Sequence, residues 1–282
     1  MKTKINMIGG GFQHDVCSSA LNTNEHVEWV KGNHFADISF HIDKSIFATT
    51  DKSKENYGWF CESSAIIPNV IKEVISNLSE YKKKYRNIFT HDRRILKVDK
   101  DFFKFNIPPA LPWVQDRQIY NKTKGISFIG SNKRMCKGHM FRQDIITKYE
   151  SHLDHFGRGF AGRELPWTIK TESGEESGKI LGFKDYMFSI AMENDNYDDI
   201  FTEKTTDCFA TGTIPVFWGT RNIGSYFDED GIVFLEDIDD LSMLTKEFYE
   251  SKMEHIENNF RLINNLSSME DYIFQNYLKE GK

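Results

Sequence analysis

The chain has 282 residues, which at about 150 residues per domain corresponds to two domains. Its 36 Lys and Arg against 42 Asp and Glu leave a formal net charge of −6, and this excludes a chain built mainly to hold nucleic acid, which needs a dense cationic footprint. Hydrophobic residues make up 39% and aromatics 14%, too much apolar surface for a disordered chain. No apolar run approaches the roughly 18 residues of a membrane span, and the opening MKTKINMIGGGFQHD is too briefly apolar for a secretory signal.

These features predict a soluble, cytoplasmic protein with no transmembrane segment and no nucleic-acid partner. Cys17, Cys61, Cys136 and Cys208 show no CxxC spacing, so reduced, mostly buried thiols are expected. The sequons at Asn77, Asn121 and Asn265 carry no meaning without a secretory route.

In chain order, KINMI (4–8) reads as a buried strand closed by Gly9, Gly10 and Gly11. That glycine run lacks the spacing of a dinucleotide fingerprint and predicts a tight turn. ADISFHI (36–42), YGWF (57–60) and RNIFT (86–90) are further strands. Pro68 opens a helix with Val70, Ile71, Val74, Ile75 and Leu78 on one face, ending in the charged YKKKYR. The aperiodic stretch FNIPPALPWVQD (105–116), with Pro108, Pro109 and Pro112, predicts a change of domain after residue 115.

Beyond it, strands and helices alternate more regularly. GISFIGS (125–131) is a strand, Phe141–Leu153 a helix, HLDHFGRG leads into a strand and turn, and YMFSIAM (186–192) is a strand. A short helix starts at Thr202 and stops at Gly212, and TIPVFWG (213–219) is the next strand. Helical patterns follow around 241–250 and 252–266, then MEDYIFQNYL. Repeated strand–helix–strand units imply parallel sheets with helices on their faces, hence two α/β domains.

The chemistry concentrates in residues 188–219. A strand delivers Glu193 and Asn194 at its carboxyl end, where ligands sit in open α/β sheets. The helix after Thr202 begins with Glu203 and Lys204. The helix dipole disfavours a lysine in a first turn, so Lys204 calls for a compensating negative charge. A bound polyphosphate would supply one, while Glu203 could accept hydrogen bonds from sugar hydroxyls. A solvated Glu–Lys pair on an exposed helix end is the plainer alternative.

This stretch resembles the signature of the α-1,3-fucosyltransferases, glycosyltransferase family 10. That pattern, F-x-L-x-F-E-N, then T-E-K, then G-x-x-P-V-x-x-G, is met by Phe188, Ile190, Glu193, Asn194, Thr202, Glu203, Lys204, Gly212, Pro215, Val216 and Gly219. A second block, Ser131 and Asn132, Arg142, then Asp154–Gly157, is similar to the family's S-N…R…D-x-Y-G segment, with Phe156 in the tyrosine position. WFCESSAI (59–66) matches its aromatic E-S segment more loosely, and RNIFTHDRRIL (86–96) the strand after it. The resemblance does not extend before residue 50 or into the tail.

The resemblance implies a GT-B fold, two Rossmann-like α/β domains facing across a cleft. Residues 1–115 would form the acceptor side, 116–260 the nucleotide-sugar domain and 261–282 a closing helix. It implies inverting, metal-free transfer from GDP-fucose to a glycan acceptor hydroxyl, with no cofactor. Arg142 and Lys204 would be the phosphate cations and Glu203 would contact fucose or ribose. Asn194 would lie on the nucleotide or diphosphate, with Glu193, Ser131 and Asn132 also on the donor side. Glu62 would be the general base, its pKa raised in a pocket formed by Trp59 and Phe60. Ile200 stands where the family has a tyrosine, so the donor contact of that tyrosine falls to Tyr197 or Phe201 or is absent.

Two other readings fit parts of the sequence. The D-x-D triplets Asp99–Asp101, Asp228–Asp230 and Asp237–Asp239 could hold a divalent ion against a diphosphate in a GT-A transferase. A degenerate transferase could act as a non-catalytic carbohydrate-binding protein. His91 and Asp92, after a strand end, read either as an acceptor contact or as a polar loop contact.

Overall fold

The computed structural model describes residues 2–9, 16–30, 36–48, 53–159 and 163–279; Gly10 and Gly11 lie outside them. The chain divides into two units. One comprises residues 1–109, 198–200 and 267–282, and the other residues 110–197 and 201–266.

The first unit is built on six parallel strands: β1 (Thr3–Ile8), β2 (Val27–Val30), β3 (Ile38–Ile42), β4 (Glu55–Phe60), β5 (Asn87–Thr90) and β6 (Phe103–Phe105). Their order is β2-β1-β3-β4-β5-β6. The two-residue period of a strand sends alternate side chains to opposite faces. Tyr57, Trp59 and Phe89 enter one core with Ile5, Phe40 and Ile42. Phe60, Ile88 and Phe103 enter another beneath helix α1 (Pro68–Ser76) and helix α2 (Leu78–Lys84), with Val70, Ile71, Val74 and Tyr81. The single helix expected from Pro68 breaks at Asn77, whose φ of −118° and ψ of 35° are not helical.

The first core is closed by the end of the chain. Met269 and Ile273, on the helix Met269–Ile273, pack into it, and the Tyr277 hydroxyl donates to the Phe105 carbonyl at 2.8 Å. The Glu270 carboxylate accepts from the Ser18 amide at 2.6 Å and hydroxyl at 2.7 Å. Asp271 accepts from the Glu25 and His26 amides at 2.6 and 2.8 Å. The tail after residue 266 thus completes the first unit, whereas the sequence reading set residues 261–282 apart as a closing helix. The passage between units comes at Pro109–Ala110, a few residues before the expected position.

The second unit carries a five-stranded parallel sheet made of β7 (Lys124–Ile129), β8 (Asp154–Phe156), β11 (Tyr186–Met192), β12 (Ile214–Trp218) and β13 (Val233–Phe234). The order is β13-β12-β11-β7-β8. An antiparallel hairpin, β9 (Thr168–Thr171) and β10 (Gly174–Ser177), interrupts the alternation. Phe188, Ile190, Met192, Ile214, Val216 and Trp218 pack on one face with Ile145 and Tyr149 of α4 (Lys137–Tyr149). Ala191 and Phe217 pack on the other with Cys208, Phe209 and Ala210 of α5 (Glu203–Ala210). Helices α6 (Lys246–Ser251) and α7 (Met253–Ile263) follow. Cys17, Cys61, Cys136 and Cys208 are all free thiols, the first, second and last of them buried. No described helix is long and apolar enough to cross a membrane.

Candidate functional site

In the second unit, the carboxyl ends of β7 and β11 bring the sequence-matched residues together. Thr202 is the N-cap of α5, its Oγ1 accepting from the Lys204 amide, and the helix stops before Gly212, whose φ of +71° suits glycine. Glu193 is fully buried, and its carboxylate accepts from the Thr202 amide at 2.8 Å and the Thr202 hydroxyl at 3.0 Å. The Lys204 ammonium lies 3.4 Å from Glu193 and 2.9 Å from the Thr202 hydroxyl. Glu193, expected on the donor side, is turned onto Thr202 and Lys204. With no exposed surface and its oxygens occupied, it fixes the start of α5 and the position of Lys204.

Glu203 is held by a residue the sequence reading missed. The Lys179 ammonium, on the turn after β10, lies 3.0 Å from Glu203 and 3.2 Å from the fully buried Asp207. It also sits 4.1 Å over the Trp113 ring. Burial alone would raise the Glu203 pKa, but Lys179 and Lys204 hold it down at about 2. Burial and the Glu203 charge raise that of Asp207. Asp207 in turn accepts from the Trp113 and Val114 amides at 2.7 and 3.0 Å.

Arg142, on α4, is 5% exposed. Its side chain lies against Gly130 at the end of β7, and its Nη2 donates to the Met192 carbonyl at the end of β11 at 3.5 Å. The Nε is buried and has no hydrogen-bond partner among the described residues. Such an unmade bond on a buried cation costs on the order of 1–3 kcal/mol or more unless a ligand supplies the acceptor.

His139, one turn before Arg142, has its pKa pushed down to about 4 by burial and then by the charges of Arg142, Lys133 and Lys204. These cations are thus close enough to act on one ring. The first turn of α4 approaches the Glu193–Asn194 backbone closely: Gly138 donates to the Asn194 carbonyl at 3.2 Å, and a Cβ on Gly138 would lie 2.3 Å from the Glu193 carbonyl oxygen. Asn194 and Ser131 are half-buried and Asn132 is exposed. The Asn132 side-chain amide donates to the Gly159 carbonyl at 3.1 Å. Phe201 is core, 4.8 Å from Tyr226 and 5.5 Å from Phe227, and Ile200 is buried.

In the first unit, Glu62 follows β4 and is exposed. The aromatic pocket expected around it is not formed by its neighbours, because Trp59 and Phe60 are each 1% exposed and point into opposite cores. Asp43, just past β3, accepts from the Cys61 amide at 2.9 Å and the Glu62 amide at 3.2 Å. Asp92 caps the turn Arg93–Leu96 and binds Ser64 at 2.6 Å and Arg94 at 2.7 Å. His91 is buried, which lowers its pKa to about 4.

The first aspartate of each D-x-D triplet is engaged by protein. Asp99 pairs with Lys82, Asp237 with Arg221 at 2.8 Å, and Asp228 with His255 at 2.9 Å and Asn258 at 2.8 Å. Asp228, Asp230 and His255 nonetheless present ligand atoms within 4.8 Å of one another.

Residues 119–260, half of the chain, match the model of the "Glycosyltransferase family 10 (fucosyltransferase) C-term". The chain is similar to alpha-(1,3)-fucosyltransferase B of Drosophila melanogaster, 24% identical over 173 residues that cover 56% of this chain and 38% of that protein. It is 22% identical over 238 residues to alpha-(1,3)-fucosyltransferase FucT of Helicobacter pylori, covering 77% of this chain and 46% of that one. The chain thus spans less than half the length of these relatives. An alpha1,3-fucosyltransferase crystal structure superposes with a TM-score of 0.54 at 12% identity, covering 99% of this chain and 88% of that one. One described as in complex with GDP gives 0.53 at the same identity and the same coverage of both chains. At that identity the likeness carries the fold, the parallel α/β architecture of GT-B. On the family match, this chain belongs to glycosyltransferase family 10, the fucosyltransferases.

Proposed function

We propose that the chain is an inverting glycosyltransferase of glycan biosynthesis that moves fucose from GDP-fucose to a hydroxyl of a glycan acceptor, without a metal. The observation that carries this reading is Arg142, a buried guanidinium whose Nε lacks a partner among the described residues, grouped with Lys204 at the carboxyl ends of β7 and β11. That arrangement suits an anion gathering charge. As the acceptor oxygen attacks the fucose anomeric carbon, the bond to the β-phosphate oxygen breaks and GDP leaves with added negative charge. Cations fixed beforehand stabilise that charge without reorganising. Names of relatives support the same reading, since the Drosophila and Helicobacter proteins are both α-(1,3)-fucosyltransferases.

Glu203, held ionised by Lys179 and Lys204, accepts hydrogen bonds from donor hydroxyls. Asn194, Ser131 and Asn132 line the donor side, and Glu193 acts by fixing Thr202 and Lys204. Glu62 takes the proton from the acceptor hydroxyl; its exposure suits a group that must meet a second substrate.

The test is thermal stability with GDP, GDP-fucose, GDP-mannose and UDP-sugars, with and without EDTA. A ligand at about 100 times its dissociation constant stabilises by roughly 2.7 kcal/mol. GDP and GDP-fucose are expected to raise the melting temperature whether or not EDTA is present. Arg142→Ala and Lys204→Ala should lose the rise, and Glu62→Gln should keep it while lowering turnover. A rise that EDTA removes would instead favour the metal-dependent reading and the Asp228, Asp230 and His255 cluster. A rise with another nucleotide sugar alone would move the donor. No rise with any nucleotide would leave a non-catalytic protein on a transferase fold.

A further inference from the structure

We propose that Asp43 is a positioning residue for acceptor activation, holding the turn that carries Glu62 through two backbone amides and setting its own carboxylate beside that of Glu62. The inference rests on the reading of Glu62 as base.

Three observations carry it. Asp43 has a φ of +48°, a left-handed conformation that costs a non-glycine residue on the order of 1 kcal/mol and persists where its surroundings impose it. That conformation follows directly on β3, next to the end of β4, with Ile42 opposite Trp59 in register. There Asp43 Oδ1 accepts from both the Cys61 and the Glu62 amides, at 2.9 and 3.2 Å. Asp43 Oδ2 takes no hydrogen bond from any described residue.

Burial and neighbouring charge both act on the Asp43 carboxyl. Burial, and then the charge of Glu62, push the Asp43 carboxyl up to about 7. From β4 and its turn it faces the buried Cys61 thiol and the Glu62 carboxylate. Glu270, from the tail helix, adds a third negative group acting on Cys61. Lys44, on the same short turn as Asp43, is exposed. Once Asp43 ionises, a second negative charge stands on the turn and attracts the proton that leaves the acceptor hydroxyl.

Asp43→Asn separates the roles, because an amide oxygen still accepts both backbone N–H groups while the charge is gone. Turnover of GDP-fucose with a saccharide acceptor is measured from pH 5 to 9 for wild type, Asp43→Asn, Asp43→Ala and Glu62→Gln, with the GDP-induced melting shift as the control for donor binding. Wild-type kcat is expected to rise through an apparent pKa near 7. Asp43→Asn should lack that step and lose up to about ten-fold in kcat at pH 8, with donor KM and the GDP shift unchanged. Asp43→Ala, which also frees the turn, should lose on the order of 100-fold in kcat. A Glu62→Gln variant with wild-type kcat overturns the base assignment and this inference with it. A slow Glu62→Gln beside an Asp43→Asn variant with wild-type kcat and pH profile overturns this inference alone.

Discussion

Lys179 stands between two carboxylates that the second unit cannot leave unpaired, Glu203 at 3.0 Å and Asp207 at 3.2 Å. Removing the cation leaves Asp207, with no exposed surface, as a buried charge that must be protonated or expose itself. Lys179→Met should therefore destabilise by about 3–5 kcal/mol, the range found when one partner of a buried pair is removed. Asp207→Asn keeps an acceptor for the Trp113 and Val114 amides, so the double variant Lys179→Met with Asp207→Asn should be more stable than Lys179→Met alone. Urea midpoints decide it: a double variant as unstable as the sum of the singles would show that the stranded carboxylate is not the cause. No sequence signal pointed to Lys179, because it lies in a short turn 24 residues before Glu203 and meets it only through the fold. Trp59 and Phe60 cannot both wall Glu62, since strand alternation sends consecutive side chains to opposite faces. Thr202, by contrast, was legible as a cap because its chemistry is local.

At the scale of elements, α4 begins at Lys137, one turn before the expected Phe141. Its opening turn carries little apolar periodicity, and what brings it down onto the Glu193–Asn194 backbone is the missing side chain of Gly138. Strands β11 and β12 were readable almost residue for residue from their apolar runs. The four residues of β2 and three of β6 were too short for alternation to register. Gly138→Ala tests the close approach. Alanine improves an exposed helix by about 1 kcal/mol over glycine, yet here its Cβ would lie 2.3 Å from one backbone oxygen and 2.7 Å from another. The expected net result is a loss of about 1–3 kcal/mol, as for overpacking, together with a smaller GDP-induced melting shift, because Arg142 and His139 move with the helix. A Gly138→Ala variant more stable than wild type, with an undiminished GDP shift, would show that α4 tolerates the added carbon.

At the scale of the whole chain, one buried glutamate in each unit is shifted, and the two shifts have opposite signs. In the second unit, Glu203 is held at about 2. Its contribution is present above its unfolded pKa near 4.5 and is lost as the pH falls towards 2. In the first unit, burial raises Glu270 to about 7. The folded state then binds the proton more tightly than the unfolded chain, so stability falls as pH rises from about 4.5 to 7 and is fully present only below that window. A shift of this size corresponds to roughly 3 kcal/mol. Its effect should appear first where Glu270 meets Ser18, in the tail segment Met269–Leu278 that closes the first core. Amide hydrogen exchange, compared at pH 5 and pH 8 after correction for the intrinsic rate, should show that segment opening more readily at pH 8. Glu270→Gln keeps an acceptor for the Ser18 amide and removes the charge, so its protection should be nearly equal at the two pH values. If Glu270→Gln opened with the same pH dependence as wild type, another group would govern how the tail is held.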